Sequence, residues 1–153
     1  MKRLKLFFIF LIINFSALGI GSWLMDNGPR SAWYLSLDKA PWTPPGWVFG
    51  AAWTTIMVCF SIYLSYLFFH NNSKKLRFIF GFQVFLNVIW NYIFFNQHFV
   101  LLGLITIIAL TVVIFHFFFT YKTTPKTVTY LLLPYMIWLL IATSLNAYVL
   151  INN

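Results

Sequence analysis

At 153 residues, 61% hydrophobic and 8% charged, the chain is far from soluble-domain composition, where about a quarter of residues are charged, and it reads as an integral membrane protein. It has no glutamate, and its two acids, Asp26 and Asp38, share one polar loop, which excludes paired-carboxylate catalysis and proton relays through membrane acids. The net charge of +8 comes from small basic sets beside apolar runs, so nucleic acid is not an expected partner.

The first apolar run, Leu4 to Met25, follows Lys2, Arg3 and Lys5. Its start also fits a signal peptide, but the run continues past a usual signal core, and Gly19, Gly21 and Ser22 suit close helix packing. It is expected to be a retained membrane helix. A long loop from Asp26 to Pro45 follows, carrying Trp33, Tyr34 and Trp42. Thr43-Pro44-Pro45 predicts the start of the second span, with Thr43 as N-cap and proline in the first turn. That span runs from Gly46 to Phe69 and presents Phe49, Trp53, Ile56 and Phe60 on one stripe. Cys59 lies inside it and reads as a small core residue.

Lys74, Lys75 and Arg77 separate this span from the third, Leu76 to Asn96. There "QVFLNVIWNYIFF" sets Gln83, Asn87, Trp90, Asn91 and Phe94 at spacings of three and four, on one stripe. Amides do not face lipid without cost, so they turn to other helices or to a cavity. The fourth span is Phe99 to Tyr121. After Lys122 and Lys126 comes the fifth, Val128 to Ile151, with Tyr135, Trp138, Ala142 and Leu145 on one stripe, Asn146 beside them, and Pro134 expected to kink the helix.

Five runs each reach the roughly 20 residues a membrane helix needs, and apart from the first loop their connections are short. The expected fold is therefore an all-α membrane protein, one five-helix bundle spanning residues 1–153 with the first loop as its lid. Five alternating spans place every Lys and Arg except Arg30 and Lys39 on one side, and the positive-inside rule makes that side, with the N-terminus, cytoplasmic and puts the C-terminus outside. In this topology Trp53, Asn87, Asn91, Trp138, Ala142 and Asn146 share the outer half of the membrane. The residues by themselves leave open whether they line a ligand chamber or a packed core. His70, His98 and His116 are spread between the two ends and cannot hold one metal together.

The stretches "WYLSLDKAPWTPPGWVFGAAW", "QVFLNVIWNYIFF" and "LPYMIWLLIATSLN", in this order and spacing, resemble the tryptophan-rich sensory protein and translocator protein family, once called peripheral-type benzodiazepine receptors. The resemblance covers the whole chain. It implies a homodimeric bundle that binds protoporphyrin, haem and isoquinoline carboxamide or benzodiazepine-type molecules in a pocket under the first loop, with porphyrin or haem as ligand and no cofactor or metal required. By motif position Trp53, Asn87, Phe94, Trp138, Ala142, Leu145 and Asn146 would line the pocket, with Trp33, Tyr34, Trp42 and Phe49 near its mouth. It further implies light-dependent oxidative breakdown of protoporphyrin, for which Trp53 and Trp138 are the candidate catalytic residues. A small tetrapyrrole transporter is the alternative reading. Ala40-Pro41 replaces the Lys-Pro order that many members show, Ala51 stands where many have proline, and "LNAYVLINN" lacks the basic residue of the animal sterol signature.

Overall fold

The computed structural model describes residues 2–153. Its long helices are α1 (Lys2–Leu24), α3 (Gly46–His70), α4 (Lys74–Asn91), α5 (Val100–Thr120) and α6 (Leu133–Asn152), with a short α2 (Ala32–Ser36) in the first loop. No strand occurs among the described residues. In hydrocarbon a backbone N–H finds no water, so each crossing satisfies its polar groups within its own helix. Among the described residues five helices are long and apolar enough to cross a membrane, as the sequence predicts. α1 packs on α3 and α4, α5 on α4 and α6, and α6 with its lead-in on α3, which closes a ring in the order α1, α3, α6, α5, α4.

The centre of the ring is aromatic. Phe60 meets Tyr135 at 5.5 Å and Phe117 at 6.0 Å between ring centroids, both edge-on, and all three are almost wholly buried. The buried polar groups tie helices to one another. Asn14 of α1 donates to Ser61 Oγ of α3 at 2.9 Å, Gln83 Nε2 of α4 donates to the Tyr135 hydroxyl of α6 at 2.9 Å, and the Tyr63 hydroxyl donates to the Tyr121 carbonyl at 2.8 Å. Each such bond is worth about 0.6 to 2 kcal/mol in a membrane.

Four details differ from the sequence expectation. Thr43 is not the N-cap of α3: its hydroxyl donates to the Ala40 carbonyl at 2.7 Å, and Pro45 precedes the helix. A residue before proline is held extended, so Pro44 and Pro45 in tandem delay the helix until Gly46. Pro134 does not kink a helix interior either. Residues Lys126–Leu132 form a 3-10 segment, and Pro134 sits in the first turn of α6, where its missing N–H is not needed. Of Gly19, Gly21 and Ser22 in α1, only Gly21 is buried; Gly19 and Ser22 are exposed. A Cβ on Gly21 would stand 2.7 Å from Asn91 Nδ2, whereas one on Gly19 would meet nothing. Finally, α4 does not continue as an α-helix but passes into a π-turn, Tyr92–Asn96, closed by the Gln97 N–H donating to the Tyr92 carbonyl at 2.9 Å.

Candidate ligand site under the first loop

The first loop is built to lie across the bundle. α1 ends at Leu24, and the chain turns at Asp26 and Gly28, both at positive φ (53° and 50°), a conformation glycine adopts without penalty. Ser31 caps α2 by accepting from the Tyr34 N–H at 3.2 Å. At the other end of α2, Lys39 Nζ donates to the carbonyls of Tyr34 and Leu35 at 3.1 and 3.3 Å, a cation on the negative end of the helix.

Three contacts fasten this loop to the helices. Trp33 stacks on His98 of the α4–α5 turn with ring centroids 4.1 Å apart, and His98 itself holds a left-handed φ of 59°. Trp42 Nε1 donates to Ser144 Oγ at 3.1 Å, and its ring meets Tyr148 edge-on at 5.5 Å. The Asp38 N–H donates to Asn153 Oδ1 at 2.9 Å, while Asn153 Nδ2 donates to the Asp38 carbonyl at 3.2 Å. The loop and the C-terminus therefore share one end of the bundle.

Beneath it lies a cavity of about 30 Å³ lined by Tyr34, Phe49, Trp90, Phe94, Phe95, Ala142, Leu145, Asn146 and Val149. Its walls are aromatic: Trp90 lies parallel to Phe94 at 5.5 Å and edge-on to Phe95 at 5.6 Å, and Tyr34 contacts Phe95 at 5.3 Å. The one amide at the wall, Asn146, accepts from Trp90 Nε1 at 3.4 Å and donates to the Val100 carbonyl at 3.3 Å. Burial pushes the Tyr34 phenol above its ordinary pKa, so its hydroxyl stays a neutral donor. Gly103 of α5 closes the floor: a Cβ there would stand 3.1 Å from the Phe94 ring and 3.3 Å from Asn146 Oδ1.

Of the residues singled out from sequence, Tyr34, Phe49, Phe94, Ala142, Leu145 and Asn146 meet at this cavity. The others stand back from it. Trp33 packs behind Phe94 at 5.6 Å, and Trp42 lies on the outer rim. Trp53 is half-buried, edge-on to Tyr135 at 5.9 Å. Asn87 is buried, and its carbonyl accepts from Asn91 Nδ2 at 3.0 Å. Trp138 is 5% exposed and meets Phe49 edge-on at 5.1 Å; its Nε1 is buried with no hydrogen-bond partner among the described residues. On its other flank Trp138 borders an apolar groove of about 490 Å³ between α3 and α6, lined also by Val48, Ala52 and Ile137. The Phe49–Trp138 pair is thus a partition between cavity and groove.

Three wall residues lay outside the sequence expectation. Val149 was reachable, standing one turn beyond Leu145 on the same stripe. Trp90 lies on the α4 stripe, yet its spacing alone does not set it at the site. Phe95 carried no signal, because a continuous α-helix with Phe94 on the stripe turns Phe95 aside, and the π-turn brings both rings inward.

The model of the TspO/MBR family matches residues 8–151. The chain is 33% identical over 146 residues to the tryptophan-rich protein TspO of Archaeoglobus fulgidus, covering 93% of this chain and 94% of that protein. It is 32% identical over 119 residues to protein CrtK of Rhodobacter capsulatus, covering 75% and 74%, and 28% identical over 141 residues to the tryptophan-rich protein TspO of Chlorobaculum tepidum, covering 90% and 89%. With the family match running through all five spans and the loop that covers them, this chain is a multi-pass membrane protein of the TspO/MBR family.

Proposed function

We propose that this protein binds tetrapyrroles, protoporphyrin IX and haem, and isoquinoline carboxamide or benzodiazepine-type molecules in the aromatic chamber under the first loop. The observation that carries this reading is the buried, unpartnered N–H of Trp138 beside a chamber wall of stacked rings. A buried donor without an acceptor costs about 1 to 3 kcal/mol, and an acceptor on a bound ligand recovers it. Flat π-systems stack on Trp90, Phe94 and Phe95, while the Asn146 amide and the Tyr34 hydroxyl meet a polar edge. Ligands of this size need roughly 300 to 1,000 Å³, against the cavity's 30 Å³. Entry therefore requires the loop to lift and the Phe49–Trp138 partition to part. Titration of the purified protein with protoporphyrin and haem, followed at the Soret band, is expected to give a saturable shift; an unshifted band at stoichiometric protein removes the tetrapyrrole reading.

The loop contacts give a kinetic prediction. Trp42→Phe keeps a ring against Tyr148 but deletes the donor to Ser144, a bond worth about 0.5 to 1.5 kcal/mol. Lid opening, and with it ligand association in stopped flow, is expected to quicken about two- to tenfold, with Ser144→Ala giving the same change. Equal rates in all three proteins remove this bond from the latch.

The same reading includes a homodimer through the outward face of α4, where Phe78 and Phe85 are exposed and Gly81 leaves open space. It also orients the basic end, with the N-terminus, toward the cytoplasm. A membrane-impermeant amine reagent added outside intact cells is expected to leave Lys74 unlabelled, and labelling there reverses the topology.

A further inference from the structure

Another cleft lies at the opposite end of the bundle from the lid. α1 and α3 leave between them a groove of about 380 Å³ lined by Arg3, Leu4, Phe7, Ile62, Ser65 and Tyr66. Its walls are apolar, since the Ser65 hydroxyl is turned back onto the Ile62 carbonyl, to which it donates at 2.7 Å. Arg3 brings the groove's one charge, and its guanidinium carbon stands 4.4 Å from the Tyr66 ring centroid. Arg3 and Phe7 are one turn apart on α1, as are Tyr66 and Ile62 on α3. Each helix thus runs from a polar or cationic residue at the mouth to an apolar one about 6 Å deeper.

Among the described residues no side-chain carboxylate reaches that mouth. Asp26 and Asp38 belong to the lid end, where the Asp38 backbone pairs with the Asn153 side chain. The same end of the bundle, where α1 and α4 begin, carries Lys2, Lys5, Lys74, Lys75 and Arg77. None of the described residues supplies Arg3 with a carboxylate counterion. An anionic head at the level of Arg3, followed inward by an apolar tail, meets both halves of the groove. Arginine suits this better than lysine, because its planar fork takes two phosphate oxygens at once and stacking on tyrosine holds it in place beforehand.

We propose that the groove between α1 and α3 holds one anionic phospholipid of the adjoining leaflet, its phosphodiester on the Arg3 guanidinium and one acyl chain along Leu4, Phe7 and Ile62. Basic pockets between membrane helices at headgroup level bind such heads by the same combination of charge and depth. The site is separate from the chamber under the lid and does not depend on what binds there.

Native mass spectrometry of the full-length detergent-purified protein tests the assignment, with phosphatidylglycerol and phosphatidylcholine of identical acyl chains and inorganic phosphate as three separate probes. Wild-type protein is expected to retain one phosphatidylglycerol per chain, about tenfold more readily than phosphatidylcholine, as one bidentate charge-assisted contact gives, and to retain no inorganic phosphate. Arg3→Ala should remove the preference, while Lys5→Ala, outside the groove lining, should keep it. Circular dichroism on each variant confirms the helices. Equal retention of the two lipids by the wild type overturns the proposal, as does equal loss in Arg3→Ala and Lys5→Ala, which is diffuse attraction to basic charge. Retention of inorganic phosphate in place of lipid overturns the acyl-chain half and with it the site.

Discussion

Ala142→Leu is expected to weaken protoporphyrin binding about 100-fold, equivalent to roughly 3 kcal/mol at the upper end of overpacking costs, while the bundle stays folded. Ala142 lies on α6, one turn from Trp138 and one from Asn146, is 8% exposed and contributes to the cavity wall. The loop can lift to admit a ligand, but α6 is locked in the ring by the Gln83–Tyr135 bond and by packing on α5 and α3. A larger side chain at Ala142 therefore stays in the binding volume in the open state as well as the closed one. The fold tolerates it because the added atoms, more than the cavity of about 30 Å³ holds, press on the weakly fastened lid and leave the helix ring in place. Soret titration measures the affinity and thermal unfolding the fold. Undiminished affinity in a folded variant removes Ala142 from the wall.

The spans and their order were legible because apolar length is nearly sufficient in a membrane. Leu4 to Met25 differs from α1 by two residues at the start and one at the end, and the second and fourth spans agree as closely, whereas the third runs five residues past α4 through the π-turn and the fifth begins five residues before α6, in the 3-10 lead-in. What escaped was decided by backbone chemistry at helix ends. Tandem prolines moved the α3 start past Thr43, and the 3-10 lead-in put Pro134 in a first turn; both follow from where N–H groups are dispensable, which the hydropathy pattern does not record. The α4 stripe was legible as far as Asn91. Beyond it the π-turn changes the angular step, so Phe94 stayed on the site and Phe95 joined it without a sequence signal. The amides were legible as groups that avoid lipid, but not their partners: Asn146 reached the cavity, whereas Asn91, beside Gly21 of α1, donates back to the Asn87 backbone carbonyl.

The loop's attachment has a consequence for how the site is gated. Besides the packing of Trp33 and Tyr34 on Phe94 and Phe95, its fastenings land on three different places: His98 in the α4–α5 turn, Ser144 within α6 and Asn153 after α6. Each is a single stack or one or two hydrogen bonds, of order 1 kcal/mol. A lid held this way opens stepwise, and ligand binding competes with contacts that are individually weak.

The last expected result separates a binding cage from a photochemical enzyme. In the light, Trp138→Phe is expected to slow breakdown of bound protoporphyrin strongly, by at least about tenfold, while Trp53→Phe slows it less. Trp138 is one ring from the cavity, edge-on to Phe49 in its wall, whereas Trp53 touches Tyr135, which is not part of the wall. An indole gives an electron to an excited porphyrin, with dioxygen as the final oxidant; phenylalanine keeps an apolar face for stacking but is a far poorer donor. The same substitution deletes the unpartnered Nε1, so dark affinity should fall only by the share of one hydrogen bond, about 0.5 to 1.5 kcal/mol. Bleaching must therefore be compared at saturating ligand, with dark samples and porphyrin in detergent alone as references, because a variant that binds less also bleaches less. One common rate for wild type and both variants at full occupancy makes the tryptophans a cage only, and the protein a receptor or carrier. A strong fall at Trp138 with a small one at Trp53 places the electron donor in the partition between chamber and groove, where a ligand that parts Phe49 from Trp138 comes into direct contact with the indole.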